Sequence, residues 1–240
     1  GVSGNRILVG DSTAMESLDV PASDDLGSQE YLIQFAPDAV ALMGRDAQDS
    51  NFPVQSWGKW SYVDGKFGKA AEFHGGGEAV GIDAADWPDR VGTVEAWVWV
   101  PADGSGGGNF FRIEHQGPWA YQLAARDGKR LRYTAYDGKK SMGVSSGDLP
   151  EGWHHFMATH DKDANVLELF VDGTSCGKSE YTGTPCGTSE RLGIGAVVDG
   201  QPSSCWTGRV DEVRISNAVR LPEAGAPKQP PVADNHTVVL

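Results

Sequence analysis

The chain has 240 residues, 39% of them hydrophobic, and a formal net charge of −13 from 33 acidic and 20 basic residues. This charge repels phosphate backbones and argues against nucleic acid as a partner. The sequence also contains no run of about 18 apolar residues, which is the length needed to span a membrane. The 32 glycines, 13 prolines and 8 tryptophans predict a β protein with many turns. The N-terminal GVSGNRILVG has no basic start and no apolar signal core, as expected after removal of a signal peptide or within a longer protein.

Residues 1–49 differ from the rest of the chain in the pattern of their apolar residues. Strands are predicted at Arg6–Gly10, Tyr31–Ala36 and Ala39–Gly44, with a short helix at Thr13–Leu18. These strands are apolar almost continuously, which indicates burial on both faces. One short helix cannot cover them, so we predict a small partial α/β segment.

Residues 50–221 are dense in short strands with alternating polarity. Thr93–Val100 alternates small apolar residues with Glu95, Trp97 and Trp99, so bulky side chains on both faces predict a strand covered on both sides. Asp-Gly pairs at 127–128, 137–138 and 172–173 predict hairpin turns. Further strands are predicted at Phe110–Glu114, Tyr121–Ala125, Leu131–Tyr136, Trp153–His160, Val166–Val171, Arg191–Val197 and Arg209–Ser216. The region is predicted to be a two-sheet antiparallel sandwich.

Residues 222–240 close the chain with a different composition. Four prolines lie between Pro222 and Val232, which predicts a stiff linker. Thr237–Leu240 then has the character of the start of another strand.

Five segments in order resemble laminin-G-like jelly-roll domains of the concanavalin A-like lectin/glucanase class. They read GKFGKAAEF (65–73), TVEAWV (93–98), GWHHF (152–156), LFVDG (169–173) and GRVDEVRI (208–215). The resemblance implies a mainly β jelly roll over residues 50–221. It also implies a module that binds glycans or proteins, or spaces other domains, in secreted proteins.

A weaker resemblance concerns the N-terminal region. RILVGDS (6–12) and EYLIQFAPDAVALMGRD (30–46) are similar to the α/β domain that precedes the catalytic barrel in bacterial glycoside hydrolases such as α-glucuronidases. The pattern departs after Arg45-Asp46-Ala47. The catalytic carboxylates of that family lie in the barrel, so no catalytic residue is carried over.

The spacing of the carboxylates and histidines matches no catalytic arrangement of this fold class. No strand has the E-x-D-x-(x)-E spacing of the glucanases of this fold class, and Asp211 and Glu212 are adjacent, so in a regular strand they point to opposite faces. His154-His155 are adjacent too, which predicts one packed and one exposed histidine. We therefore expect a non-catalytic chain.

Three tryptophans are the candidate ligand-binding residues. Trp87, Trp119 and Trp206 lie in loop-like segments where an indole could stack on a sugar ring, although large aromatic side chains also serve as buried plugs. The resemblance to the family implies a structural calcium ion at Asp211, whose alternative roles are to cap a turn or pair with Arg214.

The three cysteines, Cys176, Cys186 and Cys205, lie close together in the sequence. Sequence alone leaves their pairing open. Because Cys176 and Cys186 flank a short β-connection in an apparently extracellular module, we hypothesise a disulfide between them, with Cys205 free or paired to another chain.

The expected function is a carbohydrate- or protein-recognition module of a secreted or cell-surface, bacterial, multidomain protein with an attached glycoside hydrolase. Its partners would be a glycan or an extracellular protein and the neighbouring domains of its own polypeptide. The alternatives are a structural spacer without a small-molecule ligand and a fragment of a glycoside hydrolase.

Overall fold

A computed structural model of the chain describes residues 54–83, 87, 91–114, 118–231 and 237–239, and before them four strands between residues 6 and 45. The strands are β1 (Arg6–Val9), β2 (Glu16–Asp19), β3 (Glu30–Ala36), β4 (Ala39–Arg45), β5 (Val54–Trp57), β6 (Ser61–Asp64), β7 (Lys69–His74), β8 (Ala79–Asp83), β9 (Thr93–Val100), β10 (Gly108–Ile113), β11 (Tyr121–Arg126), β12 (Arg130–Tyr136), β13 (Ser141–Ser145), β14 (Gly152–Asp161), β15 (Val166–Val171), β16 (Thr174–Glu180), β17 (Arg191–Ile194), β18 (Thr207–Ser216) and β19 (Thr237–Val239). Within this described part, no helix has the length and hydropathy needed to cross a membrane.

Two antiparallel sheets form the sandwich. The seven-stranded sheet has the order β13-β12-β11-β10-β17-β8-β5, and the eight-stranded sheet has the order β16-β15-β14-β9-β18-β7-β6 with β19 paired to β18. Sequence neighbours such as β11 and β12 form hairpins, whereas β9 pairs with the distant strands β14 and β18. This arrangement confirms the predicted jelly-roll sandwich.

The predicted Asp-Gly turns all join neighbouring strands. Asp127 and Gly128 have φ of 53° and 66°, and Asp172 and Gly173 have φ of 49° and 77°. Positive φ at both central residues is the mark of the type I′ turn, which matches the twist of the strands that it joins. The third turn differs, because Asp137 holds it with its side chain: Oδ1 accepts from the backbone N–H groups of the next two lysines.

The core lies between the two sheets and follows from strand alternation. On β9 the side chains of Val94, Ala96 and Val98 face inward and are buried. They pack in one cluster with inward residues of the opposite sheet, such as Phe111 and Ile113. The main hydrophobic contribution to stability therefore comes from this single interface.

The outer face of β9 is covered as well, as its sequence predicts. Trp97 is 2% exposed and Glu95 is 3% exposed. Phe67 packs edge-on against Trp97 with ring centroids 5.8 Å apart, and residues 220–231, which we call the strap, enclose a cavity over the same strand. The strap therefore lies along this face of the sandwich, and the linker predicted over Pro222–Val232 stays a prediction.

The N-terminal region departs from the α/β expectation in its described residues. Glu16–Asp19 form a strand paired antiparallel with β1, although a helix was predicted over Thr13–Leu18. A helix of six residues is marginal by itself, whereas pairing with β1 satisfies backbone groups of both segments. β3 and β4 likewise form an antiparallel pair. Residues 13–15, 37–38 and 46–49 lie outside the described part.

Candidate functional site

Charged side chains project from the outer face of the seven-stranded sheet at β10. Because Phe111 and Ile113 point into the core, the alternate residues Arg112 and Glu114 point outward. Glu114 continues the ladder beyond β10, since its backbone exchanges hydrogen bonds with Arg191 (2.8 and 3.1 Å). Two paired strands therefore hold this carboxylate in place.

Glu114 is unusual for a carboxylate on an outer face. Its side chain is only 5% exposed. Oε2 accepts from Arg112 Nε at 2.9 Å and lies 2.7 Å from Nη2, whereas Oε1 is buried and has no hydrogen-bond partner among the described residues. Burial raises the pKa of Glu114 more than the charge of Arg112 lowers it. A buried acceptor of this kind favours a group that can donate a hydrogen bond.

Trp119 lies beside this pair and is half-buried. Its ring stacks on that of Tyr136, with centroids 5.1 Å apart and an interplanar angle of 20°. The guanidinium carbon of Arg112 lies 5.0 Å from the centroid of Trp119. The aromatic pair is therefore fixed by stacking and by a cation–π contact next to Glu114.

The other two candidate tryptophans are core residues. Trp87 is fully buried and donates from Nε1 to the carbonyl of Ile82 at 3.2 Å. Trp206 is 1% exposed and packs edge-on against Phe110 with centroids 5.2 Å apart. The expectation that these two stack on a ligand is corrected: their loop-like sequences carry indoles that fill the ends of the core.

Sequence reasoning missed Arg112, Glu114 and Tyr136. A usable signal was present in Phe111–Glu114 (FRIE), where two charged residues alternate with two apolar ones on a strand. Trp119 came from the sequence, but its link to Tyr136 depends on the pairing of β11 with β12.

On the opposite sheet, three of the family-like segments bring Glu95, His155 and Arg214 into contact. Glu95 Oε1 accepts from Arg214 Nε at 2.6 Å, and Oε2 lies 3.1 Å from His155 Nε2. Burial by itself raises the pKa of Glu95, but the hydrogen bond from His155 and the charge of Arg214 together outweigh it and keep the pKa below its usual value. The carboxylate on β9 is thus ionised and fully partnered.

Asp211 is 1% exposed and holds the loop between β6 and β7. Its Oδ2 accepts from the backbone N–H groups of Lys66 at 2.8 Å and Phe67 at 3.0 Å. Calcium needs six to eight oxygen ligands, whereas these neighbours are donors. The described residues contain no group of three or more His, Cys, Asp or Glu suited to a metal. The Oδ2 atom of Asp211 is therefore occupied by two backbone N–H groups, and the calcium ion implied by the resemblance stays a prediction that these contacts do not support.

Glu212 does not alternate with Asp211 as in a regular strand. The register of β18 against β9 shifts between Asp211 and Arg214, and Glu212 has a φ of 52°. This bulge inserts one residue, so the expected opposite orientation of the two carboxylates does not follow. Burial and the neighbouring charge of Asp211 raise the pKa of Glu212 to about 7.

All three cysteines are free thiols, so the predicted disulfide between Cys176 and Cys186 is not formed. Cys176 packs against the main core, whereas Cys186 follows β16 in a loop whose backbone is bonded to Tyr136. Burial raises the pKa of both thiols. Cys205 packs on a separate small cluster of Ala79, Ala196 and Val198.

A family model described as the concanavalin A-like lectin/glucanases superfamily, of the laminin-G type, matches residues 74–224. No curated protein matches the sequence.

Several solved binding domains share the fold. The binding domain of botulinum neurotoxin serotype D has a TM-score of 0.58 at 10% identity over 78% of this chain and 47% of that one. For serotype G the TM-score is 0.56 at 9% identity, over 80% and 47%. For Paraclostridial Mosquitocidal Protein 1 it is 0.53 at 12% identity, over 78% and 47%. This chain therefore spans about half the length of these domains, and the similarity concerns the fold.

Proposed function

Since the chain belongs to the concanavalin A-like lectin/glucanase superfamily, we propose that it is a non-catalytic recognition module that binds carbohydrate through the outer face of its seven-stranded sheet. The solved structures that it resembles are binding domains. We place the module in a secreted multidomain protein, as its resemblance to laminin-G-like domains implies.

The observation that carries the proposal is the unpaired, buried Oε1 of Glu114 beside an aromatic stack. A sugar hydroxyl can donate to this oxygen, and Arg112 can donate to ring or hydroxyl oxygens nearby. The Trp119–Tyr136 stack offers apolar ring surface for the C–H groups of a pyranose or furanose. Arg112 and Glu114 sit on paired strands, which fixes their orientation. Because Oε1 is buried, a sugar hydroxyl reaches it only when the side chains that cover it move aside.

Glu114 also favours neutral over acidic sugars at this site. A ligand carboxylate next to the buried Glu114 carboxylate would place two negative charges together, which is costly in a poorly solvated place. Neutral polysaccharides with free vicinal hydroxyls are therefore the preferred class here.

The test is a glycan array followed by isothermal titration with the best neutral oligosaccharide. Glu114→Gln should weaken binding by about tenfold or more, because a hydrogen bond to a charged group contributes about 1.5–3 kcal/mol. Trp119→Ala should also weaken binding, because it removes the ring on which the sugar packs. Arg130→Ala is the control, since Arg130 lies on β12 but pairs with exposed Asp148.

The alternatives give different results. If no glycan on the array binds saturably, carbohydrate recognition is rejected and a spacer or a protein-binding module is favoured. A glycan that binds both variants as tightly as the wild type would preserve the function but move the site elsewhere.

A further inference from the structure

A cavity of about 610 Å³ lies between the strap (residues 220–231) and the outer face of the eight-stranded sheet, with Glu95, Trp97 and His155 in its lining. The strap is anchored at its start, where Thr93 Oγ1 donates to the carbonyl of Ala218 at 2.7 Å and accepts from the N–H of Arg220 at 2.9 Å. The strap therefore begins at a fixed point on β9, and the cavity lies on the face opposite Glu114.

The sheet side of this cavity offers donors and no free carboxylate oxygen. Both oxygens of Glu95 are occupied, by Arg214 and by His155. The indole N–H of Trp97, in contrast, is buried without a hydrogen-bond acceptor among the described residues. An unpaired buried donor is costly unless a guest or water supplies an acceptor.

Positive charge accompanies the unpaired donor. On the strap, Arg220 and Lys228 line the cavity together with one carboxylate, that of Glu223. Outside the lining, the Nζ of Lys66 lies 4.4 Å from the ring centroid of Trp97. The charge of Glu95 is already balanced by Arg214. Although the chain as a whole carries −13, this cavity is suited to a group with negative charge and acceptor oxygens.

The strap side is chemically different. Four of its residues are prolines, at positions 222, 227, 230 and 231, and proline has no N–H to donate. The wall is therefore poor in N–H donors, and its backbone carbonyl oxygens are the groups that can accept from hydroxyl donors. Met157 and the ring of Trp97 add apolar lining.

We propose that this cavity is a second ligand site, separate from the seven-stranded sheet, that binds a sugar acid such as a uronate residue. The carboxylate would meet the Trp97 N–H and Lys228, the hydroxyls would donate to strap carbonyls, and the C–H surface would pack on Trp97 and Met157. The volume lies within the range of about 300–1,000 Å³ that ligand pockets occupy.

The test is titration of the full chain with glucuronate, glucose and acetate. Glucuronate should bind at least about tenfold more tightly than either of the other two, since each lacks one half of the recognised chemistry. Trp97→Phe removes the N–H and keeps a ring, and Lys228→Gln removes one cation from the exposed strap. Each should weaken glucuronate binding several-fold, whereas Lys139→Gln in the β12–β13 turn should not.

Four results would overturn the proposal. They are no saturable glucuronate binding, equal binding of glucose or acetate, insensitivity to Lys228→Gln, and loss of glucuronate binding in Glu114→Gln instead. Lys228→Gln decides the matter even if Trp97→Phe fails to fold. Because Glu114→Gln should weaken the binding of neutral glycans alone, failure here is distinguishable from failure of the proposed function.

Discussion

Asp172 joins the two adjacent histidines of β14. Its Oδ2 lies 2.7 Å from His154 Nδ1, and its Oδ1 accepts from the backbone N–H of His155 at 2.9 Å. His154 Nε2 lies 3.0 Å from the carbonyl oxygen of Pro150. Because both ring nitrogens of His154 face acceptors, these contacts favour the doubly protonated imidazole. Both histidines are buried, so the expectation of one exposed histidine is wrong: the strand is covered on both faces.

The Asp172–His154 pair should make stability depend on pH. The hydrogen bond to Asp172 raises the pKa of His154. The contribution of His154 to the free energy of unfolding is therefore complete below about pH 6.5 and is lost as the pH rises through the higher folded pKa. Burial raises the pKa of Asp172, but the bonds from His154 and His155 outweigh it. That contribution is present above about pH 3.8 and is lost as the pH falls through the lower folded pKa.

Asp172→Asn tests this pair. Asparagine tolerates the positive φ of the turn, so the hairpin is kept while the charge is removed. We expect a loss of about 1–2 kcal/mol in unfolding free energy near pH 5.5 and a smaller loss at pH 9. Urea unfolding at both pH values measures it. An equal loss at the two values would contradict the charged pair.

Trp206 and Trp119 should respond differently to truncation. Trp206→Ala opens a large cavity in the core and should cost about 3–5 kcal/mol. Trp119→Ala removes one member of a half-buried stack and should cost about 1 kcal/mol. Denaturant midpoints of the two variants measure the contrast, and equal destabilisation would argue against the assigned burial.

Asp211 should stabilise the fold without calcium. Asp211→Ala leaves the backbone N–H groups of Lys66 and Phe67 without their acceptor and should cost about 2–4 kcal/mol. The loss should be the same with added calcium and with chelator. If calcium raises the melting temperature of the wild type and not that of the variant, the prediction is wrong and Asp211 binds the calcium ion implied by the family resemblance.

Glu212 should destabilise the protein at alkaline pH. Its folded pKa of about 7 lies above the ordinary value of 4.5 because of burial and Asp211, so stability falls as the pH rises from about 4.5 through 7. Glu212→Gln removes that dependence. The free energy of unfolding of the variant minus that of the wild type should be roughly 1–2 kcal/mol larger at pH 8 than at pH 5, after allowance for solvent screening. Thermal unfolding at the two pH values measures this gain, and a pH-independent difference would contradict it.

Local pattern determined much of this protein. The alternation in Thr93–Val100 predicted β9 to the residue, and the Asp-Gly pairs predicted three hairpins, because strand and turn conformations depend on neighbouring residues. The jelly roll followed from the order of the family-like segments. Trp119 could be found in the same way, as an aromatic residue in a loop-like segment.

Tertiary structure alone decided what covers each outer face and which groups become partners. Glu95 and Arg214 are 119 positions apart, and Arg112 and Trp119 meet only because β10 and β11 pair. Burial distinguishes Trp206 from Trp119, although both lie in loop-like segments. The bulge at Glu212 and the packing of the strap are equally non-local. Alternation assigns a side chain to a face of the sheet, but exposure and charge state depend on distant segments that pack on that face.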